Sequence, residues 1–570
     1  MTPTRLLMID TADIQDYVFG SNNLQQNVGA SELVTQATRK WIFETLSDLK
    51  LAHNGKETKD WLDYAILDKD KVAHELDVEV IYAGGGNAAL LFAKEEDCRK
   101  FVRQWTRKIF AEARRLQPVI HSTPIDWATD LLKSKIEKVH QELLRGQVNL
   151  TPPALLLGLG VTAACVFTGL PATKVESNQL ISTVVKHKLK AKNEAEDRLH
   201  QVLLKNPKLG GRLHEKKIEL EFVQNFDDFG ARDEFSYIAV IHIDGNRMGE
   251  RREKYLDSFK FNNASQNDEC VIALRRFSQR IHETSAEALQ RTVIQLLKYS
   301  HRDPEDDDKL KFGPKKHKQV IAPQNQDRVE CLPFRPIVFG GDDVTFVCDG
   351  RLGLSLAAIY LQELAQLKLA DGNPAFARAG VAIMKSHFPF SRAYELADEL
   401  CASAKKRIEE LKHEYDLEDA LAMDWHFSTT GIVSGLTPIR RREYYSPQNG
   451  ELYIRPLAVT VGGDNKNALA TEWRTWSIFK EMVHYFRDGK EWKNRRNKVK
   501  ALREALRNGP EAVKLFLLNY AKDTKEAGLY TNEKIPPLAE TTGWSENRCV
   551  YFDAIEIMDF FVSVEDGEAS

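Results

Sequence analysis

Long apolar runs are missing from this 570-residue chain. No stretch approaches the roughly 18 uninterrupted apolar residues of a membrane helix, so no membrane association is expected. The opening MTPTRLLMID reaches a carboxylate before the apolar core of a signal peptide could form. Cysteine is sparse and scattered: Cys98, Cys165, Cys270, Cys331, Cys348, Cys401 and Cys549 make no CxxC pair. That spacing argues against a disulfide framework and against zinc, and fits a reducing cytoplasm. An excess of charge is lacking too, the formal net charge being −3. Contact with a polyanion would therefore have to come from local patches. Neither GxxxxGK[ST] nor G-x-S-x-G occurs, and the histidines, His242 and His387 included, have no ligand spacing.

What is present is a pattern that occurs twice. RLLMID (5–10) reads as a strand ending in an acid, ASELVTQATRKWIFETL (30–46) as one helix, and VEVIYAGGGNAALLFA (78–93) as strand, tight turn, strand. A charged amphipathic helix over 95–115 and ALLLGLGVTAACVF (154–167), a buried strand pair or one long strand, complete the set. The same order returns later. SYIAVIHIDGNRMG (236–249) is a strand ending in an acid and 270–297 a long helix. FRPIVFGGDDVTFVCD (334–349) is strand, turn, strand, followed by a helix over 352–370 and a strand over 376–386. This β-α-ββ-α-β order predicts an α+β chain with two tandem ferredoxin-like palms. The boundaries are 1–171 for the first palm, 172–232 for a helical linker with the basic run VVKHKLKAK (184–192), and 233–460 for the second palm. A charged, mobile insert is expected at 301–328, and a separate helical domain at 461–570 ending in an acidic tail.

Chemistry concentrates at the second turn. Gly340 and Gly341 leave room for a phosphate, while the adjacent Asp342 and Asp343 repel each other unless a cation joins them. Asp244, ending the strand expected beside this hairpin, offers a third carboxylate. Such hard oxygen ligands suit a pair of Mg²⁺ or Mn²⁺ ions and phosphoryl transfer. The amides of Gly245 and Asn246 begin a turn that could meet phosphate, and Lys405 on a helix over 391–410 could aim a cation at it. The first turn, Gly84-Gly85-Gly86-Asn87, has no acids. Asp10 stands alone there, so that copy is expected to hold a nucleotide at most. A basic run of Lys490, Lys493, Arg495, Arg496, Lys498 and Lys500 with Trp492 interleaved could dock RNA and stack a base.

The stretches DIQDYVFGSNNLQQNVGASELV (13–34), CVFTGLPA (165–172), IHIDGNRMG (241–249), LPFRPIVFGGDDVTFVCDG (332–350) and RAGVAIMKSHFPFSRAYELADELCASAKK (378–406) resemble the large palm-domain subunit of type III CRISPR effector complexes. More broadly they resemble GGDEF nucleotide cyclases. The resemblance implies two facing palms that bind ATP, the GGDD copy joining ATP into cyclic oligoadenylate for antiviral defence. By position it implies metal binding by Asp244, Asp342 and Asp343, a phosphate contact by Lys405, and Ser31 with Gly84–Asn87 in the partner palm. Guide or target RNA and other effector subunits are the implied partners. The HD nuclease of many members is not expected, since no His-Asp dipeptide occurs, and of their zinc cysteines only Cys165 is near the corresponding place. The alternative is a nucleotide-binding scaffold subunit with little or no turnover.

Overall fold

The structure, a computed structural model, describes residues 3–56, 65–66, 72, 75–148, 161–204, 220–229, 236–302, 310–313, 321, 323, 330–417, 419–428, 435–459, 469–521 and 528–564. The chain is a mixed α/β molecule organised around two sheets. The first sheet contains β1 (Arg5–Ala12), β2 (Val78–Gly84), β3 (Asn87–Phe92) and β4 (Gln117–Pro124) in the order β2-β3-β1-β4, all antiparallel. α1 (Leu24–Thr38) follows β1, and α2 (Glu95–Glu112) joins β3 to β4. Both faces of β1 are covered, which explains its unbroken apolar run. Leu7 and Ile9 join a core with Phe101 and Trp105 of α2, while Leu6 and Met8 join another with Ile136 and Leu143 of the helix Leu132–Val148.

α3 (Thr183–Leu199) carries most of the basic run and packs along α1. Lys188 is buried there, its Nζ donating to the carbonyl of Tyr17 at 2.5 Å. The run is therefore not a wholly solvated face. The second sheet is built on β5 (Tyr237–Gly245), followed by the long α4 (Asn267–Lys298). β6 (Phe334–Val338), β7 (Val344–Asp349), α5 (Gly353–Ala365), β8 (Ala377–Lys385), α6 (Phe390–Tyr415), β9 (Leu421–Phe427) and β10 (Leu457–Val459) come next. The strand order is β6-β7-β5-β8-β9-β10. Its first four strands repeat the first sheet's order, and the registers agree. Ile9, just before Asp10, pairs with Ala88, just after the first turn; Ile243, just before Asp244, pairs with Val344, just after the second.

Three expectations about elements are corrected. Among the described residues the first sheet is completed by β4 at 117–124; of the expected strand region 154–167 only 161–167 are described, as turns and one isolated bridge, and 154–160 lie outside the described residues. The helix expected over 30–46 breaks at Arg39, which has φ −134° and ψ −84° between Leu24–Thr38 and Lys40–Asp48. The C-terminal helices α7 (Trp476–Asp488), α8 (Arg496–Asn508) and α9 (Pro510–Ala521) exist, but the end of the chain packs onto the second sheet rather than standing apart. Phe560 meets the rings of Tyr237 and Phe427, and Ser355 Oγ donates to the Val562 carbonyl at 2.7 Å. Most of the charged insert and the acidic tail from 565 lie outside the described residues; Ser300–Arg302 pairs with Leu310–Phe312.

Candidate functional site

Two adjacent strand ends bring the acids together. β5 delivers Asp244 beside the β6–β7 turn, and carboxylate oxygens of Asp244, Asp342 and Asp343 lie within 4.8 Å of one another. Burial and the neighbouring Asp342 and Asp244 raise Asp343 well above the usual carboxylate range. Burial and Asp244 raise Asp342 in the same way. Water reaches both side chains from the cleft, but the protein around them and their mutual repulsion oppose the charged form. Three hard oxygen donors at this separation, strained by like charge, fit one or two small divalent cations.

Sequence reasoning missed the cation already present. Arg378 on β8 is the cross-strand partner of Asp244 and forms an ion pair with it. The signal was a charge near the start of ARAGVAIMK, a strand whose only other charge is the Lys385 at its end. Behind the acids His242 is buried, near Thr345 Oγ1 at 3.3 Å and Asp398 at 3.5 Å, and burial lowers its pKa. That is a packed histidine, as its lack of ligand spacing implied.

The turn amides are otherwise engaged. Gly245 N donates to the Asp342 carbonyl at 3.2 Å and Asn246 N to the Phe376 carbonyl at 2.9 Å. The buried Asn246 side chain donates to Asp419 and to the Ala420 carbonyl. The expectation that these two amides meet phosphate is therefore corrected: they fasten β5 to its neighbours. Lys405 is exposed on α6, four residues beyond Cys401, whose Sγ reaches the Arg378 carbonyl at 3.6 Å. Ser31 is buried within α1, and its carbonyl accepts the Thr35 hydroxyl. Neither lines the cavity described next.

The two turns face each other. A cavity of about 270 Å³ is lined by Gly84, Gly85 and Asn87 of the first turn and by Gly340, Gly341 and Asp342 of the second. Arg39, Arg252 and His282 also line it, and the two arginines place positive charge between the turns. Gly86 is buried below, its carbonyl accepting Thr11 Oγ1 at 2.8 Å. Asp10, the counterpart of Asp244, is capped: Gln147 Nε2 donates to one oxygen at 2.7 Å and the Thr11 amide to the other at 2.8 Å. Burial raises its pKa.

The C-terminal basic run is only partly as expected. Arg487, Lys493, Arg495, Arg496 and Lys498 line an open cavity of about 710 Å³. Trp492, however, is buried and stacked on Tyr520, with ring centroids 5.5 Å apart, so it cannot take a base.

No protein-family model matches this chain, and no curated protein does. Solved structures do. Csm1 of T. onnurineus is 13% identical with a TM-score of 0.50, the match covering 98% of this chain and 69% of that one. A Csm1–Csm4 cassette in complex with cA4 is 12% identical with a TM-score of 0.50, covering 98% and 70%. The likeness is to the Csm1 fold. Among the described residues no helix is long and apolar enough to cross a membrane.

Proposed function

We propose that this chain is a metal-dependent nucleotidyltransferase of two tandem ferredoxin-like palms, converting ATP into a cyclic oligoadenylate-type product in CRISPR-type defence. The observation that carries this reading is the convergence of Asp244, Asp342 and Asp343 on one wall of a cavity whose other wall is the acid-free glycine turn. The fold shared with a Csm1–Csm4 cassette solved with cA4 supports the product class.

In the reaction, the 3′-oxygen of one ATP forms a bond to the α-phosphorus of a second. The bond to the β-phosphate oxygen breaks, pyrophosphate leaves, and the hydroxyl proton passes to solvent. Bound Mg²⁺ or Mn²⁺ would neutralise phosphate charge and lower the pKa of the attacking hydroxyl. Asp244, Asp342 and Asp343 would hold these ions. The chain itself supplies position and charge. The glycine turns let phosphates approach the backbone, Arg252 adds positive charge between the turns, and Arg378 holds Asp244 in place. The basic C-terminal cavity suits guide or target RNA, and Csm4-like subunits are the natural partner class.

The test is incubation with labelled ATP and Mg²⁺ or Mn²⁺, with and without RNA, and resolution of the products. Pyrophosphate and a cyclised adenylate are expected, and Asp342→Ala with Asp343→Ala removes both. A scaffold subunit would bind ATP and release neither product under any activation.

A further inference from the structure

α4 runs past the acid turn and meets it through His282. His282 Nδ1 lies 2.5 Å from the Gly340 carbonyl oxygen, and Nε2 lies 3.3 Å from Arg39 Nη1. A carbonyl can only accept and a guanidinium can only donate. The ring therefore carries its proton on Nδ1 and offers the lone pair of Nε2. Burial, then the positive Arg39, hold it in this neutral form and lower its pKa to about 3. Gly340 is fitted to the ring in return. Its φ is +100°, and a Cβ there would stand 2.5 Å from His282 Cε1. Arg39 reaches the ring from the break between two helices of the first half, where its side chain also lies beside Gly84 of the opposite turn.

We propose that His282 is a positioning residue for the acid turn: its Nδ1–H fixes the Gly340 peptide that leads into Asp342 and Asp343, and Arg39 fixes its tautomer from the facing half. The proposal rests on the transfer reading for its kinetic consequence only. The turn belongs to the second sheet, but one of its peptide orientations is set by a chain of two hydrogen bonds that begins in the first.

The test compares His282→Ala, His282→Asn and His282→Gln in the full chain. Asn places an amide N–H near the position of Nδ1, whereas Gln reaches toward that of Nε2. His282→Ala is expected to lower kcat roughly 10- to 100-fold, the scale of a small misplacement of reacting groups. KM for ATP should stay within about threefold, because both ring nitrogens are engaged by Gly340 and Arg39 rather than offered to the cavity. Amide hydrogen exchange over residues 338–344 should quicken. Asn should restore both rate and protection, and Gln neither. Wild-type kcat and exchange in His282→Ala, or Gln rescuing as well as Asn, would overturn the proposal. Should the wild-type chain make no product under any activation, the transfer reading fails alone. Exchange over 338–344 and Mn²⁺ affinity of the acids then decide, both expected to weaken in His282→Ala and recover in His282→Asn. No change in either sinks the positioning role.

Discussion

Asp342 and Asp343 are raised by burial and by the neighbouring acids, so without metal the fold holds repulsion at this turn that Arg378 relieves only in part. Asp343→Asn removes one of the like charges without changing shape. Its melting temperature without metal is expected to rise by roughly 1–3 °C, while product formation is lost. Added Mn²⁺ should then stabilise the wild type more than the variant, which differential scanning calorimetry can read. A second acid cluster answers to pH. Arg455, buried and carrying one positive charge, faces both Asp553 at 3.7 Å and Glu556 at 3.8 Å. Arg455 is stabilised as a cation, yet burial raises both acids, Glu556 to about 7. The two tendencies are reconciled if one acid carries the charge and the other the proton. Asp553 accepts the amides of Ile454 and Arg455, so the charge belongs there and the proton on Glu556. An acid raised in the fold binds a proton that the unfolded chain has already released. Its stabilisation is full below about pH 4.5 and is lost as pH rises to about 7. Glu556→Gln should flatten that loss, gaining roughly 2–3 kcal/mol over wild type at pH 8, measured by urea unfolding at several pH values.

Between elements, close approach matters more than propensity. α1 crosses α3 at Gly29, where an added Cβ would lie 1.7 Å from the backbone carbonyl oxygen of Lys188. Backbone cannot swing aside, so Gly29→Ala must part the helices. The same crossing holds the buried pair Glu32–Arg198 at 2.8 Å, and Arg198 covers the Phe339 ring just before the acid turn. Gly29→Ala should cost about 1–3 kcal/mol as overpacking and also lower activity; a thermal shift with unchanged product yield would contradict that coupling. GASELV showed a helix but gave no hint that its glycine was a contact. The legible parts were those written locally: alternation in RLLMID and IHIDG, glycine-rich turns, and apolar spacing over 270–297 against the observed Asn267–Lys298. β4 escaped because QPVIHSTP is half-buried and scarcely alternates. The apolar run 154–167 has no period to distinguish strand from turn, and its described part, 161–167, is turns and one isolated bridge. Arg39 was hidden for a similar reason: helical spacing continues through 30–46 although the backbone breaks at Arg39, whose side chain lies beside Gly84. At the site, the three acids stood in the sequence, while Arg378 and His282 needed the register of β5 with β8 and the path of α4.

Across the whole molecule α4 is one of the members that join the halves, beside α3, whose Glu196 pairs with Arg335 of β6. Arg275 on α4 donates to Glu79 of β2 at 2.5 Å and to the Val80 carbonyl at 3.0 Å, both side chains being buried. Asn54 donates to the same Glu79 oxygen at 3.0 Å. Two helical turns further on, the same helix presents His282 to Gly340. The ion pair therefore fixes where α4 lies against the first sheet, and with it where the acid turn lies against the glycine turn. Removing Arg275 takes a buried positive partner away from Glu79, which costs far more than the pair contributes. Arg275→Met should lose about 3–5 kcal/mol, seen as a lower urea midpoint, whereas Glu79→Gln with Arg275→Met should recover much of it. Activity separates stability from alignment. If the pair sets the spacing of the two turns, the double variant regains stability but not full product formation at temperatures where it is folded. Full recovery of both would mean that packing alone aligns the halves.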